Sequence, residues 1–250
     1  MTTSRIALIT GAGRGIGAAT AHLLAQRGWD IAVNYARDAA AAEQVAATVR
    51  GHGRRALAVR ADVADEAAVL AMFEAVDRGL GRIGALVNNA GIVDLKARLD
   101  EMSAARWRRM LDVNVFGTLL CSREAVKRMS KRHGGSGGVI VNLSSIAATL
   151  GAPAMYVDYA ASKGAIESFT VGLGRELAAE GVRVAAVSPG IIDTEIHADS
   201  GDAARPQKLA ATIPMQRSGT AQEIAQAIAW LVSDEASYVT ATVLGVAGGR

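Results

Sequence analysis

A single cysteine, Cys121, leaves this chain of 250 residues without the means for an internal disulfide framework or a cysteine-based metal site. That composition fits a reducing compartment. The four histidines, His22, His52, His133 and His197, lack metal-ligand spacing, so no metal is expected. No run of about 18 apolar residues occurs, and the N-terminus lacks the layout of a signal peptide, so no membrane span is expected and a cytoplasmic location is. Excess charge is scarce too. The balance of 27 basic against 24 acidic residues gives a net charge of +3, spread along the chain, and no nucleic-acid partner is expected. Aromatics make up only 4%, so the core must be aliphatic and filled with alanine.

What is present is 50% apolar residues and 27 glycines with only four prolines, a composition suited to helices packed on both faces of a parallel sheet. Short apolar runs at 6–10, 30–35, 57–61, 85–88, 139–144, 182–187 and 242–246 read as buried strands. Helical patterns fall between them at 15–27, 39–50, 66–80, 104–132, 159–180 and 221–233. The alternation predicts an α/β fold, a doubly wound seven-stranded parallel sheet with helices on both faces, and no linker divides the domain 1–250. Such sheets bind ligands beyond the C-terminal ends of their strands. The stretch 191–219 is the longest without a pattern and is expected to be a substrate loop or lid.

The first strand runs into Thr10-Gly11-Ala12-Gly13-Arg14-Gly15-Ile16-Gly17, and a helix follows. Glycines there let backbone N–H groups approach a phosphate, and the helix N-terminus adds positive potential. The pattern is T-G-x-x-x-G-x-G; neither a strict G-x-G-x-x-G nor a Walker A loop fits. The second strand ends Val33-Asn34-Tyr35-Ala36-Arg37, with no acid to receive the ribose hydroxyls of NAD. Tyr35 stands near the place of that acid, and Arg14 and Arg37 offer two guanidiniums for a 2′-phosphate. NADP(H) is therefore expected over NAD(H). Against this, Asp38 follows Arg37 and can neutralise it.

Further along come Asn88-Asn89-Ala90-Gly91, Asn114, Ser144-Ser145 and Tyr159-Ala160-Ala161-Ser162-Lys163. Tyr159 and Lys163 are four residues apart, on one face of a helix, and an ammonium near a phenol favours phenolate. Together these motifs, in this order, resemble the short-chain dehydrogenase/reductase family over essentially the whole chain. Within it the chain is similar to 3-oxoacyl-[acyl-carrier-protein] reductases and to glucose- and polyol-type dehydrogenases. The resemblance implies catalysis by Asn114, Ser145, Tyr159 and Lys163. Ser145 would bond the substrate oxygen, and Asn114 would anchor a water of the proton relay. Adjacent Ser144 is the competitor for the serine role. Tyr156 lacks a lysine four residues on and is expected to line the pocket or pack locally. The resemblance further implies cofactor contacts from Asp62 and Val63, from Asn89, Ala90 and Gly91, and from Pro189, Gly190, Ile192 and Thr194, besides the glycine loop, Tyr159 and Lys163.

The implied activity is NADP(H)-dependent hydride transfer between nicotinamide and a small-molecule carbonyl or secondary alcohol. One rival is 3-oxoacyl carrier-protein reduction, with Arg132 and Arg175 resembling residues that dock the carrier beside the site mouth. Another is a nucleotide-binding regulatory protein without turnover. Gly134-Gly135-Ser136-Gly137-Gly138 matches G-x-S-x-G, but with helix before and strand after, the reverse of a nucleophile elbow. A homotetramer is implied by the resemblance. Ala241 stands where glycine is common, and Val246-Ala247-Gly248-Gly249 departs from the common V-D-G-G ending.

Overall fold

The computed structural model describes residues 5–250, so the expected domain 1–250 begins four residues before the described part. Seven parallel strands form one sheet in the order β3-β2-β1-β4-β5-β6-β9. They are β1 (Ile6–Ile9), β2 (Asp30–Tyr35), β3 (Ala56–Arg60), β4 (Ala85–Asn88), β5 (Gly138–Leu143), β6 (Val182–Pro189) and β9 (Thr242–Val246). The order reverses between β1 and β4, and the C-terminal ends of these two strands open the crevice where ligands bind in such sheets.

Alternation along the strands serves both faces. Ala7, Ile9, Ile31 and Val33 point to a core closed by α1 (Gly15–Gln26), α2 (Ala39–Gly51) and α10 (Ala221–Val232). Ile6, Leu8, Leu86 and Ile140 point to the opposite core, closed by α3 (Glu66–Gly79), α5 (Gly117–Met129) and the end of α7 (Val157–Leu177). Small aliphatic side chains suffice because each strand is covered on both faces. Helix starts are set by local caps. Asp38 accepts from Ala41 N, Asp65 from Ala67 N and Ala68 N, and Thr220 forms a capping box with Glu223.

A buried chain of amides ties the helices to the sheet. Asn88 Nδ2 donates to Ser122 Oγ at 3.0 Å and to Asn142 Oδ1 at 2.9 Å, and Asn142 Nδ2 donates to Thr170 Oγ1 at 2.9 Å. This links α5, β4, β5 and α7 in one row.

Two expectations need correction. The helix expected over 104–132 is broken into α4 (Ala104–Leu111), a π-turn over Asp112–Phe116 and α5. The stretch 191–219 is also patterned. It carries β7 (Ile192–Asp193), α8 (Ile196–Asp199), α9 (Arg205–Leu209) and β8 (Gly219–Thr220), with β7 and β8 paired in parallel. Its elements are too short to show a period in sequence. Helix α6 (Ala147–Leu150), between β5 and α7, escaped the sequence reading for the same reason. No helix among the described residues is long and apolar enough to cross a membrane, and no cluster of described residues could hold a metal.

Candidate active site

The glycine loop is locked to the N-N-A-G loop. Thr10 Oγ1 accepts from Asn89 N and Ala90 N, both at 3.0 Å, and Asn89 Nδ2 donates to Thr10 O at 2.9 Å and Gly11 O at 3.0 Å. From the other side, Asn34 Oδ1 accepts from Gly11 N at 3.1 Å while its Nδ2 donates to Ala61 O at 3.1 Å. Asn34 was missed in sequence, because a buried amide at a strand end looks like any polar strand residue. A Cβ on Gly17 would stand 2.6 Å from Asn89 Nδ2 and 2.8 Å from Gly11 O, so only glycine permits the two loops to meet. Ile16 packs against the core beneath.

Beside Gly15 opens a cleft of about 590 Å3, lined also by Asp193, Thr194, Glu195 and Ala198. The cleft lies at the N-terminus of α1, where backbone N–H groups are free, and the carboxylates of Asp193 and Glu195 also line it. Pro189 closes β6, Gly190 N donates to Val246 O at 3.0 Å, Ile192 is buried in β7, and Thr194 reaches the Gly15 side of the cleft.

The two expected 2′-phosphate arginines part company. Arg14 forms an ion pair with Asp199 of α8, across the cleft, so its guanidinium is turned to the 191–219 segment rather than to the ribose end of β2. Arg37 is exposed and has no ion pair among the described residues, its neighbour Asp38 being engaged in capping α2. Arg60, unnoticed in sequence, stands opposite Tyr35 in the sheet register and donates to Ala36 O at 3.3 Å, bringing a second guanidinium to the end of β2. Asp62 accepts from Ala64 N at 3.0 Å and pairs with Arg109 at 3.1 Å, and Val63 is buried where Gly117 starts α5.

Four residues expected to act together do converge. Tyr159 and Lys163 lie on the first turns of α7, with Lys163 Nζ 5.6 Å from the Tyr159 ring centre. Lys163 is buried, and Nζ donates to Leu143 O at 2.6 Å. Burial pushes its ammonium down to about 8. Burial pushes the Tyr159 phenol up, while a hydrogen bond with the Ser145 hydroxyl pulls it back. Ser144 turns the other way, buried, donating to Glu167 Oε1 at 2.8 Å. The geometry thus separates the two neighbouring serines.

Asn114 sits in the π-turn. Its Oδ1 accepts from Ile92 N at 2.8 Å, and its Nδ2 donates to Ile92 O at 3.0 Å and Ser162 Oγ at 3.1 Å. The side chain therefore pins the segment after β4 to α7 beside Lys163. A Cβ placed on Gly91 would meet Asn114 Oδ1 at 3.4 Å and Lys163 Nζ at 3.6 Å. A π-turn is a common device at functional sites, and the sequence shows no sign of it here.

Other expectations are corrected by topology. Arg175 lies in the last turn of α7, about 24 Å along the helix from Tyr159 at 1.5 Å per residue. Arg132 lies in the turn before β5, at the N-terminal edge of the sheet. Within one chain neither stands beside the site mouth. Cys121 is buried, and burial pushes its thiol up to about 12, so it is no nucleophile.

Comparison with known proteins agrees with this architecture. Residues 11–250 match the model of a family described as enoyl-(acyl carrier protein) reductase. The chain is 52% identical over 245 residues to the uncharacterized oxidoreductase YgfF of Escherichia coli, covering 98% of this chain and 99% of that one. It is 37% identical to glucose 1-dehydrogenase 2 of Bacillus subtilis, covering 99% and 95% of the two chains. A short-chain dehydrogenase of Burkholderia cenocepacia, solved in complex with NADP, superposes with a TM-score of 0.90 at 36% identity, covering 98% and 97%. The chain belongs to the short-chain dehydrogenase/reductase family, a family of nicotinamide-dependent oxidoreductases acting on alcohols and carbonyls.

Proposed function

We propose that the protein transfers a hydride between NADP(H) and a small carbonyl or secondary alcohol, with Tyr159 as the group that gives or takes the proton. The observation carrying this reading is the convergence of Tyr159, Ser145 and Lys163 at the C-terminal end of β5, beside Gly91 of the loop that locks the glycine loop. The bound cofactor supplies or accepts the hydride. The chain's own residues do the rest. Ser145 orients and polarises the substrate oxygen against the Tyr159 hydroxyl. Lys163, below the ring, stabilises the phenolate left when Tyr159 donates, so the two groups titrate as a pair. Asn114 holds the 91–92 segment against α7, and the water relay expected there belongs to this proposal.

Gly11, Gly13, Gly15 and Gly17 form the phosphate cradle, and Arg37 with Arg60 favours a 2′-phosphate. The NADP bound by the Burkholderia protein supports the same preference. Exposed Trp107, Leu111, Phe116 and Leu119 along α4 and α5 support a homotetramer, and the lone cysteine suits the cytoplasm. Within one chain Arg132 and Arg175 lie far from the mouth, which supports a small substrate over a carrier-bound one.

A ketone and alcohol panel run with NADPH and NADH side by side tests the reading. Tyr159→Phe is expected to lower kcat at least about 1000-fold with little change in NADPH binding. Arg37→Gln is expected to raise the KM for NADPH about tenfold and leave that for NADH unchanged. Full turnover in the phenylalanine variant removes Tyr159 from the role. A wild-type protein that binds NADPH and turns over nothing favours the regulatory alternative.

A further inference from the structure

Tyr156 is buried, yet among the described residues its hydroxyl has no hydrogen-bond partner. It caps the start of α7, three residues before Tyr159, and packs in a small cluster with Ala152 and Ala160, against which Val93, Met155 and Tyr159 also pack. Above its ring, at 5.4 Å, stands the guanidinium of Arg205, at the start of α9. Arg205 is half-buried, and among the described residues its one side-chain hydrogen bond is to Met155 Sδ at 3.6 Å, a weak acceptor.

Acids are plentiful nearby and none serves Arg205. Asp199 pairs with Arg14. Asp202 lies between Lys96 and Lys208, at 2.9 and 2.7 Å. Glu195 lies against Gly15 across the cleft. Among the described residues Arg205 has no carboxylate partner. Among the described residues, then, a half-buried guanidinium without an anion stands over the ring of a buried phenol whose hydroxyl has no partner.

We infer that the substrate carries a carboxylate, and that Arg205 and Tyr156 hold it. The inference rests on the reading of Tyr159 and Ser145 as the site of carbonyl chemistry, and it names the class of substrate: an oxo acid or the matching hydroxy acid. The guanidinium forks onto the carboxylate, the Tyr156 hydroxyl donates to one of its oxygens, and the ketone a few bonds away meets Ser145 and Tyr159. Because Tyr159 packs against the cluster that holds Tyr156, the carboxylate and the reacting carbon are separated by a short spacer.

The probes are 4-oxopentanoate, 5-oxohexanoate and 4-oxocyclohexanecarboxylate, each beside its methyl ester, which keeps the ketone and removes the charge. Reduction with NADPH is measured, and calorimetry follows binding of each acid and ester to the NADP+-loaded protein. For the spacing that fits, the wild type is expected to prefer acid over ester by about 10- to 100-fold in kcat/KM and in affinity. Arg205→Gln brings that ratio close to one, and Tyr156→Phe, which keeps the ring beneath the guanidinium, lowers it several-fold. If the glutamine variant melts early, Arg205→Lys replaces it and is expected to retain part of the ratio. Equal handling of acid and ester by the wild type at every spacing overturns the inference. So does an Arg205 substitution that lowers acid and ester alike. Arg205-dependent binding of an acid without any turnover sustains the carboxylate site and removes the carbonyl-chemistry reading instead.

Discussion

Lys163 is a charged group held in a dry place, and stability should report that. Its folded value of about 8 lies below the usual 10.5, so the unfolded chain binds the proton more tightly between those values. Stability of the cofactor-free protein from this group is therefore greatest above about pH 10.5 and is lost as pH falls through about 8. At pH 7 the cost of keeping the ammonium buried is about 3 kcal/mol. Lys163→Met removes both the charge and the phenolate's support. We expect it to melt several degrees higher than wild type at pH 7, by an amount that shrinks toward pH 10, while losing nearly all activity. A methionine variant that is both inactive and less stable at pH 7 contradicts the account of Lys163 as a strained buried charge. The same residue shows how far sequence could go. Four-residue spacing placed Lys163 beside Tyr159, but only the fold shows its amine donating to Leu143 O under the ring.

Between elements, the close contact of α7 with β9 depends on two residues that sequence treats as minor. A Cβ on Gly174 would lie 2.7 Å from Ala241 N and 2.8 Å from its Cα, backbone atoms with no room to yield. Gly174→Ala is expected to cost about 1–3 kcal/mol in denaturant unfolding. Ala241 itself has φ +53°, left-handed backbone that favours glycine, which is the physical reason its departure from glycine stood out. Ala241→Gly relieves that strain and is expected to add up to about 1 kcal/mol. If the glycine variant is less stable, the left-handed conformation is not a strain at this position.

Long, evenly patterned elements were legible in this way: six strand–helix units follow from apolar runs between glycine turns, and β2 and β4 fall where the runs do. The π-turn was not legible, because nothing in the residue types of Asp112–Phe116 marks an extra residue in the turn, which is held by tertiary contacts of Asn114 with Ile92 and Ser162. In the site, the motif residues converged. Asn34, Arg60 and Arg205 stayed hidden, since each matters through a partner far away in sequence.

For the molecule as a whole, the 191–219 segment is fastened across the crevice from both sides. Arg14 of the glycine loop pairs with Asp199, and Lys96 of the segment after β4 pairs with Asp202, which also holds Lys208 of α9. Lys208 and then Lys96 hold the Asp202 carboxyl down to about 2, so this fastening persists at all but strongly acid pH and is lost as pH falls through that value. Salt, not pH, is the lever in the physiological range, because the lysines are partly exposed and screening reaches them. A segment with short elements and ionic ties is the part of the fold that opens at least cost. Asp202→Asn releases both lysines without changing shape. We expect it to speed proteolytic cleavage within 191–219 several-fold at low ionic strength, and to raise the substrate KM more than it lowers kcat, because the segment bearing Arg205 then closes less often over the site. In about 0.5 M salt the wild type should approach the variant in cleavage rate. Equal cleavage of the two proteins at low salt would place the restraint on this segment in its apolar contacts, such as Ile213 against Gly248, and not in the charges around Asp202.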